Sequence, residues 1–138
     1  MHTYLFELEM KVRDYECDIQ GVVNNANYQH YLEHARHEFL ESTGKSFSDL
    51  HAQGIDAMVS RVDISYKHSL KGSDRFSVKI ALKREGIKLL FFEDIYKIPD
   101  NQLCAKGCVE VICLQNGKLT RGEPFDTLFS KELERSEK

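Results

Sequence analysis

Asp18 to Leu40 reads DIQGVVNNANYQHYLEHARHEFL, and the rest of the chain is best understood outward from this stretch. Asp18 stands ahead of Gly21 and of the pair Asn24-Asn25, and from Asn25 the apolar residues take up helical spacing. Tyr28, Tyr31, Leu32, Ala35 and Phe39 follow i, i+3, i+4 intervals, the stripe that a helix turns toward a core. Asn24 or Asn25 offers an N-cap oxygen, and Gly44 is a natural stop beyond Thr43. The spacing predicts a helix over Asn25–Thr43. Asp18 then lies in a loop just before a helix N-terminus, where the first backbone N–H groups have no partner within the helix. A base or nucleophile is thus placed close to donors able to hold a developing oxyanion.

Upstream, Tyr4 to Tyr15 alternates loosely and reads as a first strand; downstream, Phe47 to Gln53 reads as a short helical turn. After Gly54 the period becomes two. Val62, Ile64, Tyr66, His68 and Leu70 alternate with polar residues, as do Phe76, Val78, Ile80 and Leu82 beyond the turn Lys71-Gly72-Ser73-Asp74. By this alternation His68 is expected to be partly buried. Lys88 to Ile98 carries the run Leu89-Leu90-Phe91-Phe92, which suits a central strand covered on both sides or a subunit contact. Pro99-Asp100-Asn101 is a turn, Leu103 to Leu114 a further strand, and Asn116-Gly117 a hairpin signal leading into Lys118 to Arg121. From about residue 122 the chain reads as a C-terminal tail, with Phe125, Leu128 and Phe129 ahead of solvated charge. One long helix burying its stripe against such strands gives an α+β domain, an antiparallel sheet wrapped around a central helix.

Size and charge narrow the classes. A chain of 138 residues forms one domain. With 41% hydrophobic and 30% charged residues it reads as soluble and globular, and a net charge of −3 argues against nucleic acid as the main partner. No apolar run has membrane-spanning length, and MHTYLFELEMKVRDYE mixes charge into its apolar positions, unlike a signal peptide. Cys17, Cys104, Cys108 and Cys113 lack the close pairs of zinc or redox motifs and read as reduced residues of a cytoplasmic protein. His30, His34 and His37 share one helix side with Glu41, a spacing able to chelate a transition metal; the favoured reading is a solvent-facing side, and no metal or cofactor is expected.

The pattern D-x-x-G-x-V-x-x-x-x-Y over Asp18, Gly21, Val23 and Tyr28, with Asn25, Ala26, Asn27 and Glu33-His34-Ala35-Arg36, resembles the hotdog-fold acyl-CoA thioesterases. The likeness is to the 4-hydroxybenzoyl-CoA thioesterase and YbgC-like group, and it covers about Leu8 to Arg121. It implies a hotdog fold, an acyl-CoA substrate, and active sites shared across a homodimer or homotetramer. It also implies that Asp18 attacks the thioester carbonyl or activates a water, and that the Asn25 amide polarises that carbonyl. Many members of the group carry histidine where this chain has Asn25, and asparagine does not exchange protons near neutral pH. The resemblance places Glu33 near the acyl group, although a solvated carboxylate paired with Arg36 or His37 reads equally well.

Basic residues that can meet coenzyme A phosphates are Lys67, Lys71, Lys83, Arg84 and Lys88, of which Arg84 and Lys88 are favoured, with Arg61 as a further contact. Phe39, Phe91 and Phe92 are candidates to line or close the acyl pocket. Two alternatives remain open at this level, a thioesterase acting on acyl carrier protein and a hotdog domain that binds acyl-CoA without cleaving it.

Overall fold

A computed structural model describes residues 2–137. Strand β1 (Phe6–Lys11) is followed by a 3-10 turn (Asp14–Glu16), helix α1 (Asn25–Ser42) and helix α2 (Phe47–Ala52). Then come strands β2 (Ile55–Tyr66), β3 (Arg75–Glu85), β4 (Lys88–Ile98), β5 (Gln102–Gln115) and β6 (Lys118–Leu119), and helices α3 (Glu123–Leu128) and α4 (Ser130–Ser136). The main sheet order is β1-β3-β4-β5-β2, antiparallel throughout, with β6 folded back onto β5. This is the expected α+β layout, a curled sheet around one long helix.

Helix α1 starts where the asparagines place it. Asn24 is the cap, its Oδ1 accepting from the Ala26 N–H at 3.0 Å. The stripe Tyr28, Tyr31, Leu32, Ala35 and Phe39 is buried against the sheet, joined by Arg36 and Leu40. Each large side chain so covered contributes about 1.5–3 kcal/mol. The helix sits close to β5 because Gly107 has no side chain. A Cβ there would meet Leu32 Cδ1 at 2.9 Å and the Glu93 carbonyl at 3.0 Å.

Four expectations change. The first strand stops at Lys11, and residues 14–16 tighten into a 3-10 turn. The strand after α2 begins at Ile55, straight after Gly54, and ends at Tyr66 rather than Leu70. Its register slips between Val59 and Arg61, a bulge that period-two reading does not register. With the ladder broken after Tyr66, His68 is exposed rather than partly buried, while Leu70 still reaches the core. The segment from residue 122 is ordered into α3 and α4, and Phe125 and Phe129 are buried with α1.

Candidate active site

The loop before α1 is held in place by a polar lock. Glu16 is buried, its Oε1 accepting from the Tyr31 hydroxyl at 2.9 Å and from the Arg13 amide at 2.7 Å. Its carbonyl accepts from the Asn27 side-chain amide at 2.8 Å and the Asn24 amide at 3.0 Å. Short bridges Cys17–Val23 and Val22–Lys71 tie the loop to itself and to the turn before β3. Glu16 and Asn27 thus position the loop; the sequence reading names Asn27 only within the family pattern and passes over Glu16. The only signal for Glu16 is a glutamate ahead of the carboxylate loop, far too common to single out.

Asp18 is half-buried. Its Oδ1 accepts from the Gln20 amide at 2.9 Å, an Asx turn that leaves Oδ2 unoccupied by any described residue. The first two turns of α1 complete the arrangement. Asn24 takes the Ala26 N–H on its side chain and the Asn27 N–H on its carbonyl, at 3.0 and 2.9 Å. The Asn25 N–H is left without an acceptor among the described residues. Asp18 and Asn25 line one hollow of about 340 Å³, together with Tyr28, Tyr66, Lys67 and His68. Tyr66 packs edge-on to Tyr28 at 5.2 Å, and its hydroxyl lies 3.4 Å from the Asn25 carbonyl. A carboxylate with one free oxygen and an unspent helix amide, carried by two residues that line one hollow, are groups able to activate an attacking group and hold the oxyanion it creates.

Glu33 is on a different wall. It is exposed and borders two further hollows along the seam of α1 with β2, one starting at Ala26 and one ending on Phe125 and Phe129. Of the aromatic candidates Phe91 lines the second of these, Phe39 packs behind it, and Phe92 turns to the opposite face of the sheet, stacked on His2 at 3.9 Å. The basic candidates are not gathered at Asp18. Lys88 is paired with Glu110, and Arg61 approaches the same carboxylate at 3.9 Å and Asp63 at 3.6 Å. Glu110 is held below the usual carboxylate range, chiefly by its hydrogen bond from Lys88. Arg84 donates to Asp126 at 2.8 Å and to the carbonyls of Gly86 and Lys88 at 2.8 and 3.1 Å. The helix histidines are spread over different contacts, His30 with Asn27, His34 with Glu38 and His37 against the Phe47 ring. No metal-binding cluster is found among the described residues, and no described helix is long and apolar enough to cross a membrane.

Between the seam and the sheet Arg36 Nη1 donates to the buried Glu93 Oε1 at 2.9 Å. Glu93 Oε2 has no partner among the described residues. Burial pushes the Glu93 carboxyl up to about 8, against the pull of Arg36. Between about pH 4.5 and 8 the folded chain therefore holds a proton that the unfolded chain has lost, so stability falls as pH rises through this window and levels off above it. Urea unfolding of Glu93→Gln is expected to lack this slope; parallel wild-type and variant curves from pH 5 to 8 would refute it.

An antiparallel sheet curled around one long helix defines the hotdog class. The model for the thioesterase-like superfamily matches residues 12–133, and the chain belongs to that superfamily. It is similar to the acyl-acyl carrier protein thioesterase ATL3 of the Arabidopsis thaliana chloroplast, 39% identical over 73% of this chain. The chain spans only 55% of the length of that relative. It is also similar to a putative esterase of Aquifex aeolicus, 31% identical over 83% of this chain and 88% of the relative, and to the long-chain acyl-CoA thioesterase FadM of Escherichia coli, 28% identical over 78% and 82%. Among solved structures, a DHNA-CoA thioesterase from Staphylococcus aureus superposes with a TM-score of 0.81 at 26% identity, over 96% of this chain and 94% of that one.

Proposed function

We propose that this chain hydrolyses an acyl thioester, with acyl-CoA as substrate, to a free carboxylic acid and a thiol. The observation that carries the reading is the convergence of Asp18 and the unspent Asn25 amide on one hollow. In this scheme the thioester carbonyl accepts a hydrogen bond from the Asn25 N–H, and Asp18 either takes a proton from an attacking water or attacks the carbonyl carbon itself, in which case water then cleaves the Asp18–acyl anhydride to release the acid and restore the carboxylate. The tetrahedral oxyanion stays on the amide until the C–S bond breaks. The thiolate leaves without prior protonation, so a second acid is not needed, consistent with asparagine at position 25. Glu33 borders the acyl path, and Arg61 and Lys88 are the cations assigned to substrate phosphates. Arg84, engaged with Asp126 and three carbonyls, has the least freedom to join them.

Self-association is part of the proposal. β2 is an edge strand of twelve residues, and Met58, Val59, Val62 and Tyr66 on it are 37–49% exposed. A long apolar edge invites pairing with a second copy. Tyr15 and Ile19, 80% and 100% exposed beside Asp18, offer that copy further apolar surface. Val62→Lys is expected to convert a dimer or tetramer to monomer in light scattering and to lower turnover at the same time. An unchanged mass would refute this edge as the contact.

The similarity to ATL3 favours one second reading, cleavage of acyl carrier protein thioesters. The deciding assay follows thiol release from one acyl group carried on CoA and on carrier protein in parallel. Faster release from CoA is expected; preference for the protein carrier would move the assignment, and no release from either would leave an acyl binder.

A further inference from the structure

Asp18 does not open onto the apolar space bordered by Phe91, Phe125 and Phe129. That space, about 270 Å³, lies at the far end of α1 and is walled by α1, α2, β2, β4, β5 and α3. A second hollow of about 340 Å³ begins at Ala26 and shares Glu33, Arg36 and Val59 with it. The two adjoin along the α1–β2 seam. From Ala26 to His37 it follows eleven helical steps, about 16 Å at 1.5 Å each, the span of an extended alkyl chain. The first hollow ends on Phe125, Leu128 and Phe129.

That end wall is built by a specific device. Phe129 lies parallel to Phe39 at 6.1 Å, which in turn meets Phe91 edge-on at 6.2 Å. α3 is pinned to the β3–β4 turn by Arg84, which bonds Asp126 and the Arg121, Gly86 and Lys88 carbonyls. The clamp needs glycine at 122. Its φ is +91°, and a Cβ there would lie 2.7 Å from the Arg84 guanidinium. Arg84 thus fixes the wall rather than the substrate.

We infer that α3, clamped by Arg84 and presenting Phe125, together with Phe129 just beyond its end, is the stop that sets the longest acyl chain accepted. This rests on the hydrolase reading for its substrate, but the stop is testable without turnover. The probes are S-alkyl pantetheine thioethers from butyl to hexadecyl, which cannot be hydrolysed and carry the portion common to CoA and carrier protein. For the wild type, affinity is expected to rise about fourfold per methylene and then level off. Ala57→Leu fills the cavity from the β2 wall and is expected to bring the plateau earlier by about the three carbons it adds. Phe129→Ala moves it later. Because Ala57→Leu grows into open space, it decides the matter even if Phe129→Ala fails to fold. Plateaus that coincide in wild type and Ala57→Leu, or no dependence on chain length, would overturn the stop. A shifted plateau without hydrolysis of any acyl thioester would keep the stop and remove the hydrolase.

Discussion

Asp18→Asn is expected to lower kcat by roughly a hundred- to ten-thousandfold, the range a positioned base supplies, with fold and oligomer unchanged. The substitution is nearly isosteric, and its Oδ1 can still accept the Gln20 amide, so the Asx turn survives. Only the ability to take a proton or attack a carbonyl is lost. Because the loop is held by Glu16, Tyr31 and Asn27 rather than by Asp18, stability should shift little. Thiol release from an acyl-CoA panel, beside circular dichroism and light scattering, checks this. Near-wild-type rates would remove Asp18 from the chemistry. A large loss of Tm would instead make it a structural residue of the loop.

Asn25→Pro is expected to cost about a hundred- to a thousandfold in kcat, equivalent to about 2.7–4 kcal/mol for one oxyanion donor. A backbone amide cannot ordinarily be deleted without harm, but this one sits at the first position of α1, where proline is well tolerated. Asn24 has φ −64° and ψ 139°, the extended conformation that a residue before proline favours. The Ala26 and Asn27 amides keep their bonds to Asn24. Asn25→Ala, which keeps the N–H and removes only the side chain, is the control and should retain most activity. If the two variants lose activity equally, the side chain and not the backbone is the contributor. If neither does, the oxyanion is held elsewhere.

Most of the fold was legible because its signals are local. Asparagine caps, a 3.6-residue apolar stripe and a glycine stop define α1 within two residues, since each acts over a single turn of backbone. Asn116-Gly117 likewise takes up the two positive φ values, 51° and 80°, that its hairpin needs. The bulge near Ser60 escapes the period-two reading because that alternation is taken only from Val62, past the point where the phase turns from Ile55, Ala57 and Val59 to Val62, Ile64 and Tyr66. The C-terminal aromatics read as a tail because Phe125 and Phe129 have no partners nearby in sequence; their partners Phe39 and Phe91 lie far upstream.

The candidate site divides the same way. From residue types alone follow the carboxylate at Asp18, the helix start at Asn25 and the freedom of its first amides, because capping is dictated by neighbours in sequence. Tertiary structure alone decided that Tyr66, Lys67 and His68 share that hollow, that Arg84 is tied to α3, and that Glu93 lies buried under Arg36. Those pairings join residues dozens of positions apart. They are chosen by strand register and packing, which no local stretch of sequence specifies.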